Sequence, residues 1–347
     1  DEDNDARDPM NAWSLSEGHG TATASVLISQ SEGDVLGSAP RATLMPIRAI
    51  TSVARVSQVD VAEGVNYAVA NGAHVITMNL GGLPSISLGR AIKNAVDNNV
   101  IVLAAAGNCI RFVIYPARYD DCMAVGGSNR ARSTWRGSCR GSKVAFSAPA
   151  ENVYRARAYV KDGKVEYDVG QGQGTSFAVA LVAGVAACWL SHHRRDHLLE
   201  EAKKNGETLQ QMFNRLASAT AAKPPGWSDS FGSGIVNAEA LLRAPLNQAG
   251  GESAVRASTD ESFADSIRAL AFEATKDRDI LDASIDWKVV GPEVALSIFD
   301  RMKKTARPVG PEEAAPPVSA NEASAFLQET IKKYPGLRSL FTEAETP

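Results

Sequence analysis

The sequence predicts an α/β fold, a three-layer α/β/α arrangement around a mainly parallel sheet, followed by a helical C-terminal extension. Short runs that are apolar throughout alternate along the first half of the chain with segments of helical spacing. Apolar strands joined by helices are typical of parallel sheets that are covered on both faces. The chain has 347 residues, which is enough to bury a sizeable core.

The elements of the first half can be assigned in order. Three apolar runs predict strands: ATLMPIRAI (42–50), HVITMNL (74–80) and VIVLAAA (100–106). Between them, VSQVDVAEGVNYAVANG (56–72) and SLGRAIKNAVDNN (87–99) have helical spacing. The first of these helices ends on a glycine, which is a common helix stop.

The middle of the chain is richer in strand patterns. CMAVGG (122–127) and KVAFSA (143–148) predict strands, and RAYVKDGKVEYDV (157–169) predicts a hairpin that turns at Asp162-Gly163. Helical sequence returns at Thr175. Its apolar stretch, FAVALVAGVAACWL (177–190), is short and interrupted by small residues, so it predicts a buried central helix rather than a membrane span.

The composition changes near residue 246. We expect residues 1–245 to form the α/β domain and residues 246–347 to form a linker and a helical extension. The extension carries three amphipathic helical patterns: SFADSIRALAFEA (262–274), PEVALSIFDRMKK (292–304) and ASAFLQETIKKY (323–334). No catalytic constellation occurs in it, and its role stays open.

Charge and cysteine content exclude several classes of function. Lysine and arginine number 36 against 40 acidic residues, a formal balance of −4, which predicts no nucleic-acid partner. The four cysteines form no CxxC pair, so a zinc site has no support. Their pairing cannot be assigned from the sequence.

Three short motifs carry the groups that acyl transfer requires. GHGT (18–21) holds His19, a potential general base; AAAGN (104–108) ends on Asn108, a side-chain amide donor; and GTSFAVALVAG (174–184) holds Ser176, a hydroxyl nucleophile at a helix start. Each has a structural alternative. Ser176 could cap its helix, Asn108 could be a turn residue and His19 could be a structural histidine.

The order and spacing of these motifs resemble those of the subtilisin-like serine proteases, the peptidase S8 or subtilase family. The resemblance covers roughly residues 10–245 and implies a serine endopeptidase. Ser176 would be the nucleophile, His19 the general base, and Asn108 would form the oxyanion hole with the Ser176 N–H. A helix start disfavours imidazolium, which suits a base that must be neutral.

The resemblance also implies where a substrate binds. An extended peptide would add to the main chain of Leu80, Gly81 and Gly82. One wall of the pocket for the residue before the cleaved bond would be formed by three alanines, Ala104, Ala105 and Ala106. Ile114 would lie near the base of that pocket, and we expect a shallow apolar pocket that prefers small or medium apolar side chains.

Further implications concern cofactors and partners. We expect no required cofactor; structural calcium occurs in the family, but no ligand set can be assigned here. The expected partners are protein or peptide substrates, with no nucleic acid, no membrane span and a monomeric state. Secretion is the expectation that the family suggests.

One part of the family pattern is missing. Subtilisin-like enzymes orient the histidine with an aspartate that follows an apolar strand and begins D-T-G or D-S-G, about thirty residues earlier. The residues before His19 contain no such strand or motif, only scattered aspartates: Asp1, Asp3, Asp5 and Asp8. We therefore expect the chain to be a truncated version of a longer protein and to have weak or absent activity as it stands.

Two other classes of function stay open. The missing aspartate favours a catalytically incompetent subtilisin-like domain that binds peptides or acts as a scaffold. An α/β-hydrolase esterase has less support, because no G-x-S-x-G elbow surrounds Ser176.

Overall fold

The computed structural model describes residues 5–7, 10, 18–30, 35–50, 54–55, 58–108, 112–247, 263–281, 284–305 and 324–341. In chain order the helices and strands are α1 (His19–Ile28), β1 (Ala54–Arg55), α2 (Val59–Ala70), β2 (Val75–Met78), β3 (Gly81–Gly82), α3 (Ile86–Asp97), β4 (Ile101–Ala105), β5 (Met123–Ser128), β6 (Val144–Pro149), β7 (Val153–Lys161), β8 (Lys164–Gly172), α4 (Thr175–His193), α5 (Arg195–Asn205), α6 (Leu209–Thr220), α7 (Ala238–Arg243), α8 (Phe263–Thr275), α9 (Trp287–Thr305) and α10 (Ala325–Lys333).

A parallel sheet forms the centre of the molecule. Its four described strands are ordered β2-β4-β5-β6, and every neighbouring pair is parallel. All residues of β4 and β5 are buried. The predicted α/β fold is therefore confirmed.

Each face of the sheet packs against a different layer of helices. Leu103 of β4 belongs to a core that includes Val179 and Trp189 of α4. Val102, its neighbour in sequence, belongs to the opposite core, which includes Ile92 of α3. Successive strand residues point to opposite faces, so this alternation builds three layers.

The chain around residues 42–50 is not the strand that we predicted. Residues 43–50 form no regular element, and no described strand pairs with them. Pro46 removes one backbone donor from this segment, and a strand without a hydrogen-bonded neighbour is not stable. Its apolar character is used for packing instead, since Ile47 and Ala49 contact the position of Gly64 on α2.

The central helix α4 lies in the core. It is 19 residues long and apolar enough to cross a membrane by length and composition. The length of the apolar stretch therefore does not by itself exclude a membrane span. The predicted buried central helix is confirmed, because 67% of the most apolar window of α4 is buried inside the protein. Small residues such as Ala178, Ala183 and Ala186 let it pack closely against the sheet.

The predicted hairpin is confirmed. Strands β7 and β8 pair antiparallel from Val153↔Gly172 to Lys161↔Lys164. Asp162 and Gly163 both have positive φ, 52° and 73°, as a tight two-residue turn requires.

The three predicted C-terminal helices occur as α8, α9 and α10. Their apolar faces and the short 3-10 helix after α10 (Pro335–Leu340) form one cluster, in which Val290 and Leu337 are fully buried. The same cluster contains Leu83, Phe112 and Ile114 from the α/β portion of the chain. The extension is therefore packed against the segment that follows Asn108.

Candidate active site

His19 is the first residue of α1. Gly18 precedes it with φ +65°, a conformation that favours glycine. A Cβ on Gly18 would lie 2.2 Å from the carbonyl oxygen of Ala158, so only glycine lets β7 pack directly against the start of this helix.

Two hydroxyl groups of α1 form hydrogen bonds, one within the helix and one to β7. Thr23 Oγ1 donates to the carbonyl oxygen of His19 at 3.1 Å. Ser25 Oγ accepts a hydrogen bond from the backbone N–H of Ala156 on β7 at 2.9 Å. The hairpin therefore helps to set the position of the helix that carries His19.

Ser176 lies in the first turn of α4. Gly174, with φ +152°, is the N-cap residue and has no side chain that could cap the helix. Ser176 therefore does not cap its helix. Its hydroxyl is buried (9% of the residue is exposed) and donates a long hydrogen bond of 3.4 Å to the carbonyl oxygen of Asn79.

Helices α1 and α4 pack directly against each other. Ala22 and Val26 of α1 form a small cluster with Phe177 and Ala180 of α4. Small side chains at this contact let the two helices approach, and His19 and Ser176 each lie in the first turn of their helix. Among the described hydrogen bonds, none joins the His19 imidazole to the Ser176 hydroxyl.

The orientation of the Asn108 side chain is fixed by Thr175. Asn108 Oδ1 accepts hydrogen bonds from the backbone N–H and from the hydroxyl of Thr175, both at 2.9 Å. Thr175 Oγ1 in turn accepts from the N–H of Gly107 at 3.2 Å. Because the oxygen is held, the amide Nδ2 points toward Gly174, 3.4 Å from where a Cβ of that residue would lie.

The Thr175 contact was not predicted from the sequence. Its only signal in the sequence is its position next to Ser176 in the run Gly174-Thr175-Ser176. Predicting it requires knowing that β4 ends next to the start of α4, which is a tertiary relationship.

The imidazole of His19 is held neutral by its surroundings. Burial by neighbouring protein atoms, with a smaller effect from the positive charge of Arg155, lowers the pKa of His19 to about 4. The sequence predicted resistance to protonation from the helix start, whereas in the structure the effect comes from burial and a nearby cation. A neutral imidazole can accept a proton at physiological pH.

No carboxylate among the described residues is hydrogen-bonded to His19. Of the four N-terminal aspartates, only Asp5 is described, and it pairs with Arg7. Asp1, Asp3 and Asp8 lie outside the described residues.

The predicted peptide-binding residues are already paired within the chain. Gly81 and Gly82 form β3, which pairs in parallel with Ala54 and Arg55 of β1. The N–H of Gly82 also donates to the carbonyl oxygen of Tyr115 at 2.8 Å. Leu80, immediately before them, packs partly buried against the α2–α3 side of the core.

The three alanines of the predicted pocket wall are buried on alternate faces of the sheet. Ala104 and Ala106 belong to the core under α2 and α3, whereas Ala105 belongs to the core under α4. Ile114 is buried in the cluster formed with the C-terminal helices. Its Cδ1 lies 2.9 Å from where a Cβ of Gly107 would be, so it packs directly behind the Asn108 segment.

Metal ligands and disulfides do not occur in the described part of the chain. No group of three His, Cys, Asp or Glu side chains is placed there to hold a metal ion. No disulfide joins any two of Cys122, Cys139 and Cys188. Cys109 lies outside the described residues.

Comparison with known proteins decides the family. Residues 1–234 match the Subtilase family, Peptidase S8. The chain belongs to the subtilase family. Membership places it among the serine proteases, as the resemblance of the three motifs predicted. The residue roles within the site are a separate matter.

Individual subtilases show how far the similarity extends. Subtilisin BL of Lederbergia lenta is 32% identical over 232 residues, covering 65% of this chain and 78% of that protein. The M-protease of Shouchella clausii is also 32% identical over 232 residues, which is 55% of its own length. This chain therefore spans about half of the M-protease.

A solved structure supports the fold. A protease of Pseudoalteromonas arctica has a TM-score of 0.56 and 25% sequence identity, over 65% of this chain and 70% of that one.

Proposed function

We propose that the chain is a serine endopeptidase. Ser176 Oγ attacks the carbonyl carbon of the peptide bond while His19 takes its proton. The C–N bond then breaks, His19 returns the proton to the leaving amine, and the acyl group stays on Ser176. A water molecule then attacks the acyl carbon while His19 takes its proton, and His19 returns that proton to Ser176 Oγ as the acid product leaves.

The observation that carries this proposal is the fixed amide beside the nucleophile. With Asn108 Oδ1 occupied by Thr175, the amide Nδ2 is the donor left to face the start of α4. The helix start adds the positive end of its dipole. Nδ2 of Asn108 and the N–H of Ser176 together would hold the developing oxyanion.

Ser176 must turn to react. Its hydroxyl now donates to the carbonyl oxygen of Asn79 at 3.4 Å, which is a weak bond that rotation of the side chain breaks at little cost. Rotation toward α1 would bring the hydroxyl to His19. Substrate binding would favour this rotation by filling the space beside Asn79.

Substrate would bind as an added strand on Leu80, Gly81 and Gly82. Since β1 is paired with β3 in this structure, the peptide would replace β1 as the partner of β3. This ladder has only two residue pairs, so replacing it costs little. The residue before the cleaved bond would fit the small apolar space beside Ala104, Ala105 and Ala106, with Ile114 behind it.

A peptide-binding module without turnover is the second candidate. It is favoured by one observation, that no described carboxylate is bonded to His19. Loss of the orienting acid in a serine triad lowers kcat by about 10,000-fold, so this arrangement would turn over slowly.

Hydrolysis of a fluorogenic peptide library by the wild-type protein and by Ser176→Ala separates the two candidates. An endopeptidase cleaves internal bonds after small or medium apolar residues, and Ser176→Ala does not. Peptide binding by both proteins with no cleavage by either would establish the binding module. Cleavage after basic or acidic residues would contradict the proposed pocket.

A further inference from the structure

Arg155 on β7 extends over the residue that follows the nucleophile. Its Cζ lies 5.6 Å from the centre of the Phe177 ring. Its Nε passes so close to Gly172 that a Cβ there would be 2.5 Å away. Gly172 therefore provides the space that the guanidinium occupies, between the end of β8 and the start of α4.

Among the described residues, no hydrogen bond or ion pair joins the Arg155 guanidinium to a carboxylate; the charge of Asp168 attracts it, but the Asp168 carboxylate is hydrogen-bonded to Arg157. The Arg155 Nε is buried and makes no hydrogen bond. Arg157, two residues further along the same face of the strand, forms a two-point ion pair with Asp168 across the hairpin. A half-buried cation that is not hydrogen-bonded to an anion is costly, and a bound anion would lower that cost.

Under the proposed function, the position of His19 identifies the leaving-group side of the site. In acyl transfer the general base delivers its proton to the leaving amine, so His19 stands on the leaving-group side of Ser176. The Arg155 guanidinium lies over the Phe177 ring, and Phe177 packs with Ala22 and Val26 of the helix that carries His19. The charge of Arg155 acts on His19. Both groups therefore share the leaving-group side.

Resting on the proposed function, we propose that Arg155 is a specificity-determining residue that binds a substrate carboxylate on the C-terminal side of the cleaved bond. The guanidinium offers planar donors that match a carboxylate. Two sources have this chemistry, an Asp or Glu side chain just after the bond and the free C-terminal carboxylate of a short peptide.

Peptide binding to Ser176→Ala tests the proposal without requiring turnover. The probes are alanine hexapeptides with Glu or Gln at the first or second position after the intended bond, each with a C-terminal carboxylate or a C-terminal amide. Affinity is measured at pH 7 by calorimetry, in Ser176→Ala alone and combined with Arg155→Gln, Arg155→Lys or Lys164→Gln. Lys164, at the far end of the hairpin, controls for the loss of one positive charge.

Ser176→Ala should bind the carboxylate peptide about tenfold more tightly than its neutral counterpart, the effect of one charge-assisted hydrogen bond. Arg155→Gln should abolish this preference, Arg155→Lys should keep part of it, and Lys164→Gln should leave it unchanged. Tighter binding of the Glu peptides than of the Gln peptides identifies a side-chain carboxylate as the ligand. Tighter binding of the peptides with a C-terminal carboxylate than of those with a C-terminal amide identifies the C-terminus as the ligand.

Three outcomes of the binding experiment overturn the proposal. They are equal affinity for charged and neutral peptides, no binding of any peptide, or a preference that survives Arg155→Gln. If the wild-type protein cleaves nothing but the binding preference holds, the proposed hydrolysis fails and the carboxylate site stands. If kcat/KM for all substrates falls equally in Arg155→Gln, the residue instead supports the catalytic groups and the specificity proposal is wrong.

Discussion

Asn108 Oδ1 accepts two hydrogen bonds from Thr175, one from its backbone N–H and one from its hydroxyl, each 2.9 Å long. The pair joins the segment that follows β4 to the start of α4, and it leaves the Asn108 amide Nδ2 near Gly174, two residues before Ser176. The proposed oxyanion hole depends on this junction between two elements that are far apart in sequence.

Replacing Asn108 with alanine should lower kcat by about 100- to 1,000-fold with little change in KM. The amide would be used only when negative charge develops on the carbonyl oxygen, so its loss raises the barrier without weakening substrate binding. Steady-state kinetics on a fluorogenic peptide check this. A change confined to KM would show that Asn108 binds substrate rather than the oxyanion.

Replacing Thr175 with valine should lower kcat by roughly tenfold. Valine keeps the shape and the backbone N–H but removes the hydroxyl that holds Asn108 Oδ1, so the amide is less well oriented. Thr175→Ser keeps the hydroxyl and is the matched control, which should retain most of the activity. Equal kcat values in Thr175→Val and the wild type would contradict a positioning role.

The acid limb of the pH–activity profile should lie near pH 4. Burial is the main reason that the pKa of His19 is about 4, so the imidazole stays neutral and able to accept a proton throughout the range above it. An ordinary histidine would lose activity near pH 6.5. The folded-state pKa is below the unfolded one, so stability decreases as pH falls from about 6.5 to about 4, and unfolding must be followed in parallel.

Arg155→Gln is the matched variant for this pH profile. Removing its positive charge takes away one of the two causes that lower the pKa of His19, so the acid limb should move to higher pH. Lys164→Gln should leave the limb in place. An acid limb at pH 6 to 7 in the wild type would contradict a His19 pKa of about 4.

Replacing Leu337 with alanine should destabilise the protein by about 2–5 kcal/mol. Leu337 is fully buried in the cluster that joins the C-terminal helices to Leu83 and Ile114. Urea unfolding measures the change. Leu281→Ala is the control, because this leucine is 45% exposed and its truncation removes little buried surface.

Periodicity in the sequence predicted most elements of the fold. The strands β2, β4, β5 and β6 and the turn at Asp162-Gly163 lie where local patterns placed them, because burial on two faces and turn chemistry are local signals. The strand predicted over residues 42–50 was wrong, because an apolar run becomes a strand only when another strand pairs with it. A local pattern does not reveal that pairing.

The candidate site was predicted in part. His19, Asn108 and Ser176 are marked by motifs. His19 and Ser176 lie in the first turns of α1 and α4, which pack against each other, and Asn108 is hydrogen-bonded to Thr175. Thr175 and Arg155 were missed because their roles depend on contacts between distant segments. The pairing of Gly81 and Gly82 with β1 was missed for the same reason, since only the folded chain brings Ala54 and Arg55 to them.

Labelling with a fluorophosphonate probe tests most directly whether Ser176 is an activated nucleophile. The probe forms a covalent bond with a serine whose proton a neighbouring base removes, and intact-protein mass spectrometry counts the adduct. We expect one adduct on the wild-type protein, reduced labelling of His19→Ala, and none on Ser176→Ala. No adduct on the wild type, or equal labelling of Ser176→Ala, would contradict the account.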